Sequence, residues 1–529
     1  MIDRILTVGG FTLASRVTGF LRDIVLAAVL GAGPIADAFF VALRLPNHFR
    51  AIFAEGAFNA AFVPTYARLR TARGATTVGV FADRIFTLSI IVQIIILAIA
   101  LLQTPWVINL LAPGFAEKSG QSALAIELTR ITFPYLLLVT MVTLYGGILN
   151  SLERFAAAAA APILLNFTIV FALAVAAVFP TPGHAAAWGV FAAGVLEVVL
   201  VGGDAWRQGV LPRLRWPKLD GDVRLFLKRF APATAGSAGT QIALFADTII
   251  ASFFAAGALS ALYYADRINQ LPIGVIGIAV GTVLLPEMAN RLAAGQEHQA
   301  REAQNRAIEF TLLLSVPCFV AFLLVPVPIM NGLFERGAFT AADAAASGAT
   351  LRAYAFGLLP FVLLRSLSVT FLSRGDTLTP VIALACSVAI NVALKIFFYY
   401  STTLAQVGLA IATSVGAWMN VAVLYWFARR QELLTFDESL RSAVTKLSIA
   451  GVLLAVALSG GQYAFVALFD GLPHRAVVLL ASLTILGAVV YGAALFVLFG
   501  KRRLAGYFRS ATPSAGAPPP ATPATDEAS

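Results

Sequence analysis

The sequence predicts an all-α polytopic membrane protein of about fourteen transmembrane helices. Two parallel six-helix repeats surround a central cavity, and two further helices follow at the C-terminus. Three observations carry this reading. Of the 529 residues, 59% are apolar and only 12% charged, with a mean hydropathy of +0.85. A soluble chain carries about 25% charge and could not cover its surface with polar atoms from this composition. The loops alternate in charge, and the first six spans recur in the second half of the chain.

Fourteen apolar segments are long enough to cross a bilayer. They run at about 5–31, 36–66, 81–102, 124–149, 157–179, 185–206, 228–254, 262–290, 308–334, 349–372, 378–400, 405–428, 443–468 and 475–499. Prolines 46, 134, 232, 272 and 360 lie inside them and predict kinks. The resulting organisation is a six-helix lobe over 1–206, a basic linker over 207–227, and a second six-helix lobe over 228–430. Two extra helices occupy 431–505, and a Pro/Ala/Ser-rich tail at 506–529 reads as disordered.

The formal net charge is +10. Its distribution fits a membrane protein better than a nucleic-acid binder. Arginines and lysines crowd alternate loops, as in Arg68, Arg70 and Arg73, then Arg213, Arg215 and Lys218, then Arg429 and Arg430, while the intervening loops hold little beyond Lys118, Arg336 and Arg475. The positive-inside rule then puts both termini in the cytoplasm. Cys318 and Cys386 sit in apolar runs without metal-site spacing, and read as small packing residues.

The duplication has an offset near 224. DIVLAAVLGAG from Asp23 matches DTIIASFFAAG from Asp247, Gly33 matches Gly257, and Phe39-Phe40 match Tyr263-Tyr264. Pro64, Pro134 and Pro162 pair in order with Pro286, Pro360 and Pro380. Six spans per period give both copies the same orientation, a parallel repeat whose interface is where transported substrates bind.

Ionisable residues inside spans are costly and mark function. The first span carries Arg16, Arg22 and Asp23, the second Asp37, Arg44, Arg50 and Glu55, the seventh Asp247, and the eighth Asp266 and Arg267. Arg16 lies about 17 Å into its helix at 1.5 Å per residue, and Arg50 roughly 21 Å from the outer end of its own. Internal salt bridges that tie helices together would account for some of these, notably the charges at Arg22/Asp23 and Asp266/Arg267. Several arginines aimed into one hydrated cavity would instead hold an anion, since the guanidinium fork matches phosphate oxygens. The chain has no phosphate-binding G-x-x-x-x-G-K-[ST] loop, and its four histidines are isolated. It therefore reads as a transporter with no cofactor, driven by an ion gradient or the membrane potential, and not as an enzyme.

SRVTGFLRD (15–23), ADAFFVALRLPNHFRAIFAEGAFNAAFVP (36–64) and YYADRINQLPIGVIGIAVGTVLLP (263–286) closely resemble the MurJ/MviN lipid II flippase family. That family lies within the multidrug/oligosaccharidyl-lipid/polysaccharide exporter superfamily. The resemblance covers residues 3 to 505. It implies a flippase of the bacterial cytoplasmic membrane that moves undecaprenyl-pyrophosphate-linked peptidoglycan precursor outward. Its partners are then that lipid, the surrounding membrane lipids and cell-wall synthesis proteins, with no nucleic acid, and it works as a monomer. The family's substrate-binding residues fall on Arg16, Arg22, Asp23, Asp37, Arg50, Glu55 and Arg267. The last two helices are expected to form a groove for the lipid tail. Some family members resemble sodium-coupled transporters, with a cation site made by an acid of the seventh helix and polar groups of the eleventh and twelfth. Asp247 and Asn391 match such a site, but Lys395 stands where a second acid is expected. Its ammonium would pair with Asp247 in place of a metal ion; alternatively it snorkels to the outer interface. The competing function is a cation-coupled exporter of small drugs from the same superfamily. Twelve spans and an acidic cavity would mark it, and this chain has neither.

Overall fold

The computed structural model describes residues 2–50 and 57–510. Among the described residues the regular structure is a π-helical turn entered at Arg50, short 3-10 turns and seventeen α-helices. They are α1 (Ile2–Leu30), α2 (Pro34–Phe49), α3 (Ala57–Leu102), α4 (Thr104–Leu111), α5 (Gln121–Thr132), α6 (Tyr135–Ser151), α7 (Ala156–Ala174), α8 (Pro182–Arg207) and α9 (Gly221–Ala251). The rest are α10 (Ala258–Ala293), α11 (Glu297–Leu324), α12 (Pro326–Phe334), α13 (Ala341–Leu372), α14 (Leu378–Ser401), α15 (Ala405–Arg430), α16 (Glu438–Leu468) and α17 (Arg475–Ser510).

Among the described residues, ten helical spans are long and apolar enough to cross a membrane, α5 and α6 counting as one span bent at Pro134. Helices α1, α2, α9 and α10 supply the remaining four of the fourteen expected spans. Helix α1 carries Arg16 in mid-helix, α2 has only 16 residues, and α10 is uncharged between Arg267 and Glu287.

Helix α3 begins at Ala57 and breaks at Gly74 (φ 79°, ψ 176°), between the expected second and third spans, before its apolar half; residues 51–56, between α2 and α3, lie outside the described residues. Proline 46, one of the expected kink positions, sits in the last turn of α2. The segment between the expected third and fourth spans is folded into α4 and a turn at Pro113–Glu117. At the C-terminus, α17 changes direction at Gly500 (φ 74°) and its basic end stays helical to Ser510. Residues 511–529 of the expected disordered tail lie outside the described residues.

Helices α1, α3 and α6–α8 pack together in the first lobe, and α10, α11 and α13–α15 in the second. The pair α16/α17 lies against α11 and α12, where Tyr491 donates to the Leu313 carbonyl at 2.9 Å and Leu480 covers Gly332. The repeated junctions Gly33 and Gly257 begin α2 and α10 and meet across the lobe interface. Gly257 has φ 92°, and a Cβ there would lie 2.6 Å from the Ala32 carbonyl oxygen. Only glycine satisfies both the left-handed backbone and the close approach.

Cross-lobe hydrogen bonds close this end of the molecule. Ala338 N–H donates to the Ala28 carbonyl (2.7 Å) and Tyr264 Oη to the Gly31 carbonyl (3.1 Å). Lys118 Nζ donates to the Ser252 and Phe254 carbonyls at 2.9 and 2.6 Å. The opposite end holds the basic loops. There Arg73 and Arg84 pair with Asp222 and Asp220, and Arg306 with Asp437 and Glu309.

Candidate functional site

Where α1 meets α10, one network crosses the lobe interface. Arg22 places Nε and Nη2 on Asp23 Oδ1 at 3.1 and 2.7 Å, and donates Nη1 to Asn166 Oδ1 at 3.0 Å. Asn166, on α7, is itself fixed by donating to the Ser15 carbonyl and Thr18 Oγ1, both at 3.0 Å. From α10, Tyr263 Oη donates to Asp23 Oδ1 at 3.2 Å. Arg267 donates Nη2 to Tyr263 Oη at 3.0 Å, stands over the same ring at 4.7 Å, and holds Nε 3.5 Å from Asp23 Oδ2. Phe40 stacks on Tyr263 with centroids 3.8 Å apart, which fixes the ring that Arg267 rests on.

Arg22 and Asp23 are buried, whereas the Arg267 side chain is 39% exposed. Two guanidiniums share one carboxylate, so the network carries an excess positive charge with Arg267 at its open edge. Such an edge suits an anionic ligand through charge-assisted, forked hydrogen bonds. Arg16, nearly two turns before Arg22 along α1, is exposed and sets its guanidinium against Gly274 of α10, where a Cβ would overlap it.

Other expected site residues are placed elsewhere. Asp37 is buried at the closed end, where its carboxylate accepts from Gly257 N (2.7 Å), Ser260 N (2.8 Å) and Ser260 Oγ (2.5 Å). It thereby caps the first turn of α10 from the other lobe, satisfying amide donors that a helix start leaves open. Arg50 lines a separate cavity of about 340 Å³ inside the first lobe, with Thr12, Asn59, Tyr135 and Glu197. Glu55 lies outside the described residues. Arg44 bonds Thr248 Oγ1 at 2.6 Å across the interface.

A second charged pair joins α9 to α14. Lys395 is fully buried, with Nζ 2.8 Å from Asp247 Oδ1 and 3.0 Å from the Ala243 carbonyl that it donates to. Its stem runs inward to α9 and not outward to the interface. Asn391, one turn earlier, turns to α15 and donates to Thr413 Oγ1 at 3.3 Å, while Ser387 donates to the Gly416 carbonyl at 2.7 Å.

Three residues escape the sequence reading. Asn166 orients Arg22, Glu197 accepts from Tyr135 Oη at 3.3 Å, and Arg365 of α13 lies against Gly277 of α10. Glu197 and Arg365 carry a usable signal, each being a lone charge within an apolar run (VLEVV, VLLRSLS).

The family model described as "Lipid II flippase MurJ" matches residues 26–474. A probable lipid II flippase MurJ of Rhizobium meliloti (strain 1021) is 40% identical over 465 residues, covering 87% of this chain and 86% of that protein. The chain belongs to the lipid II flippase MurJ family. A second MurJ relative, from Burkholderia cenocepacia, is 32% identical over 436 residues, covering 81% and 83% of the two chains. Among solved structures, a MurJ in an inward closed conformation superposes with a TM-score of 0.78 at 24% identity, over 94% of this chain and 99% of that one. An inward-facing multidrug MATE transporter superposes with 0.67 at 16% identity, over 79% and 95%. Both show a shared fold, and membership in the MurJ family makes the protein a multi-pass bacterial inner-membrane transporter and not an enzyme.

Proposed function

We propose that this protein, a lipid II flippase by family, moves lipid II from the inner to the outer leaflet by alternating access of its two lobes, residues 1–206 and 228–430. The observation that carries the mechanism is the cross-lobe network of Arg22, Asp23, Tyr263 and Arg267. Its surplus positive charge fits the pyrophosphate, and because α1 and α10 come from different lobes, a ligand held there is sensitive to their relative movement. Arg16 belongs to the same inter-lobe space. Asp37 serves as a gate residue, holding the closed end shut through Gly257 and Ser260. That end faces the cell exterior if the basic loops are cytoplasmic, which also puts both termini inside. Exposed Val452 and Val456 of α16, with Ile485 and Val489 of α17, supply an apolar face for the polyprenyl tail. The protein acts as a monomer beside cell-wall synthesis proteins, and the buried Asp247–Lys395 pair stands where a coupling cation would otherwise sit.

The decisive experiment is replacement of the resident flippase in a depletion strain. The wild-type chain should restore growth and prevent build-up of lipid-linked precursor. Arg16→Ala and Arg267→Ala should fail while still inserting, and Arg267→Lys should recover only part of the function because a point charge lacks the fork. Full complementation by both alanine variants at normal expression would refute the anion site. The cation-selective drug-exporter reading is disfavoured by the positive charge of the network.

A further inference from the structure

Glu197 is a buried acid that the network at the lobe interface does not use. It lies ten residues before Arg207, the last residue of α8, roughly 15 Å from that helix end at 1.5 Å per residue. That is about halfway through a hydrocarbon core of about 30 Å. Its run, VLEVV, is otherwise apolar, and the residue is only 3% exposed. A carboxyl group at that depth is costly and marks a task. Gly194 lets α8 approach α6, since a Cβ there would lie 2.7 Å from Tyr135 Cδ2. The approach puts Tyr135 Oη within reach of Glu197 Oε2, to which it donates at 3.3 Å.

Glu197 lines the cavity of about 340 Å³ inside the first lobe. Along α6 the cavity wall runs from Tyr135, the first residue of the helix, to Asn150 in its last turn, about 22 Å. Asn150 lies close in sequence to Arg154, which pairs with Asp204 near the end of α8, so the wall reaches the end of the molecule that holds the basic loops. Thr12, Asn59 and Thr143 add polar groups to it. A space this large with hydrogen-bonding walls holds water.

The charges in the cavity select its ligand. Among the described lining residues, Arg50, Tyr135 and Glu197 are the only ones that carry charge or titrate. Arg50 comes from the end of α2 and Tyr135 from α6, whereas α1, α3 and α7 contribute only neutral side chains. A metal cation would find one carboxylate and a guanidinium in the same space, which is a poor set of ligands. A proton needs no further ligand, and it converts the carboxylate into a neutral acid that still hydrogen-bonds. A carboxylate that served only to fix Tyr135 would need no polar passage leading to it.

We propose that Glu197 is a proton-binding site of the first lobe and that its proton is the ion coupled to transport. A hydronium ion in the cavity gives its proton to a Glu197 carboxylate oxygen and leaves as water; on release the same O–H bond breaks and the proton returns to water. With the far end of the molecule closed, this exchange takes place with the side of the basic loops, the cytoplasm by the positive-inside rule. Arg50 transmits the change. It caps the inner end of α2, whose first turn carries Asp37, bonded to Gly257 and Ser260 of the other lobe. The charge of Glu197 thus acts on a helix that touches both lobes. The second lobe offers no competing cation site at Asp247, where the Lys395 ammonium already sits. The proposal rests on the lipid II flippase reading for the cargo and adds the coupling ion and its residue.

Two measurements on the full-length protein test it. In nanodiscs titrated from about pH 5 to about pH 9, infrared difference spectra should show a carboxylic-acid C=O band that shifts in Y135F and disappears in E197Q. Thermal midpoints confirm folding, and E197D, which keeps an acid, should retain a band. In proteoliposomes, flipping of fluorescent lipid II is followed with the membrane potential clamped to zero and a pH gradient of one unit imposed in either direction. One direction should accelerate the wild type by up to about tenfold, the factor that one unit represents per proton. E197D should respond and E197Q should not. A titrating band that survives in E197Q, or no band in the wild type, overturns the proton site. A gradient response in E197Q equal to that of the wild type, or a wild type that flips lipid II without responding, overturns the coupling and leaves the flippase reading standing. If the folded wild type flips no lipid II under any condition, the flippase reading falls and the coupling with it, while the infrared band still decides the site.

Discussion

Lys395 and Asp247 form an ion pair sealed between α14 and α9, with 2.8 Å from Nζ to Oδ1 and 0% exposure of the lysine. The lysine's second bond, to the Ala243 carbonyl, anchors it to the same helix as its partner. A lone charge at this depth has no water to fall back on, so each member depends on the other.

Removing one member should therefore be worse than removing both. Asp247→Ala or Lys395→Ala alone should cost about 3–5 kcal/mol of stability by stranding a buried charge, and the Asp247→Ala/Lys395→Ala double variant should be milder than the sum. Thermal unfolding in detergent, run as a double-mutant cycle, reads the coupling; strict additivity would reject the pair. With an ammonium in the cation position, lipid II transport in proteoliposomes should proceed equally in sodium and potassium buffers. A sodium requirement would count against the assignment.

The closed end should loosen when Asp37 is changed. Its carboxylate accepts three hydrogen bonds from the start of α10, and bonds to a charged group contribute about 2 kcal/mol each. Losing even one such increment in Asp37→Ala should shift the closed-to-open ratio roughly thirtyfold. A cysteine at Ala258, which is 5% exposed in the closed form, should then react much faster with a membrane-impermeant maleimide in intact cells. Equal labelling in the Asp37→Ala and parent backgrounds would show that Asp37 does not hold the gate.

Tyr263→Phe is a fine probe of the central network. The hydroxyl donates to Asp23 and accepts from Arg267, while the ring keeps its stacking on Phe40. The change should leave insertion and thermal stability nearly intact. It should weaken lipid II binding by about 1 kcal/mol, roughly fivefold, from the lost orientation of Arg267. An unchanged affinity would mean that Arg267 needs no help from Tyr263.

Topology has a direct check. Ser119 follows Lys118 in the segment that closes against Ser252 and Phe254, and is exposed; Gln431 follows Arg429 and Arg430 and is also exposed. A cysteine at position 119 should be labelled from outside in intact cells, and one at 431 only after permeabilisation. The reverse pattern would invert the gate.

The sequence by itself determined the architecture, because hydropathy and loop charge are local properties that the bilayer reads directly. The duplication set the pairing of Gly33 with Gly257 at equivalent helix starts, and single charges in apolar runs marked Arg16, Arg22, Asp23, Asp247, Arg267 and Lys395. Tertiary structure alone decided what each charge does. Composition weighs Asp23 and Asp37 alike, yet packing sends Asp23 to two arginines and Asp37 to the backbone of α10. Lys395 had two destinations available to its flexible stem, and only the position of α9 turns it inward to Asp247. Arg50 and Arg267 are equally conspicuous in sequence, but the fold places one in a cavity with Glu197 and the other at the lobe interface. Arg365 gains its meaning solely from a neighbour nearly ninety positions away, Gly277, whose missing side chain leaves room for it. The physical reason is range: burial preference is fixed residue by residue, whereas a charge acquires its partner only when helices distant in sequence pack within a few ångströms.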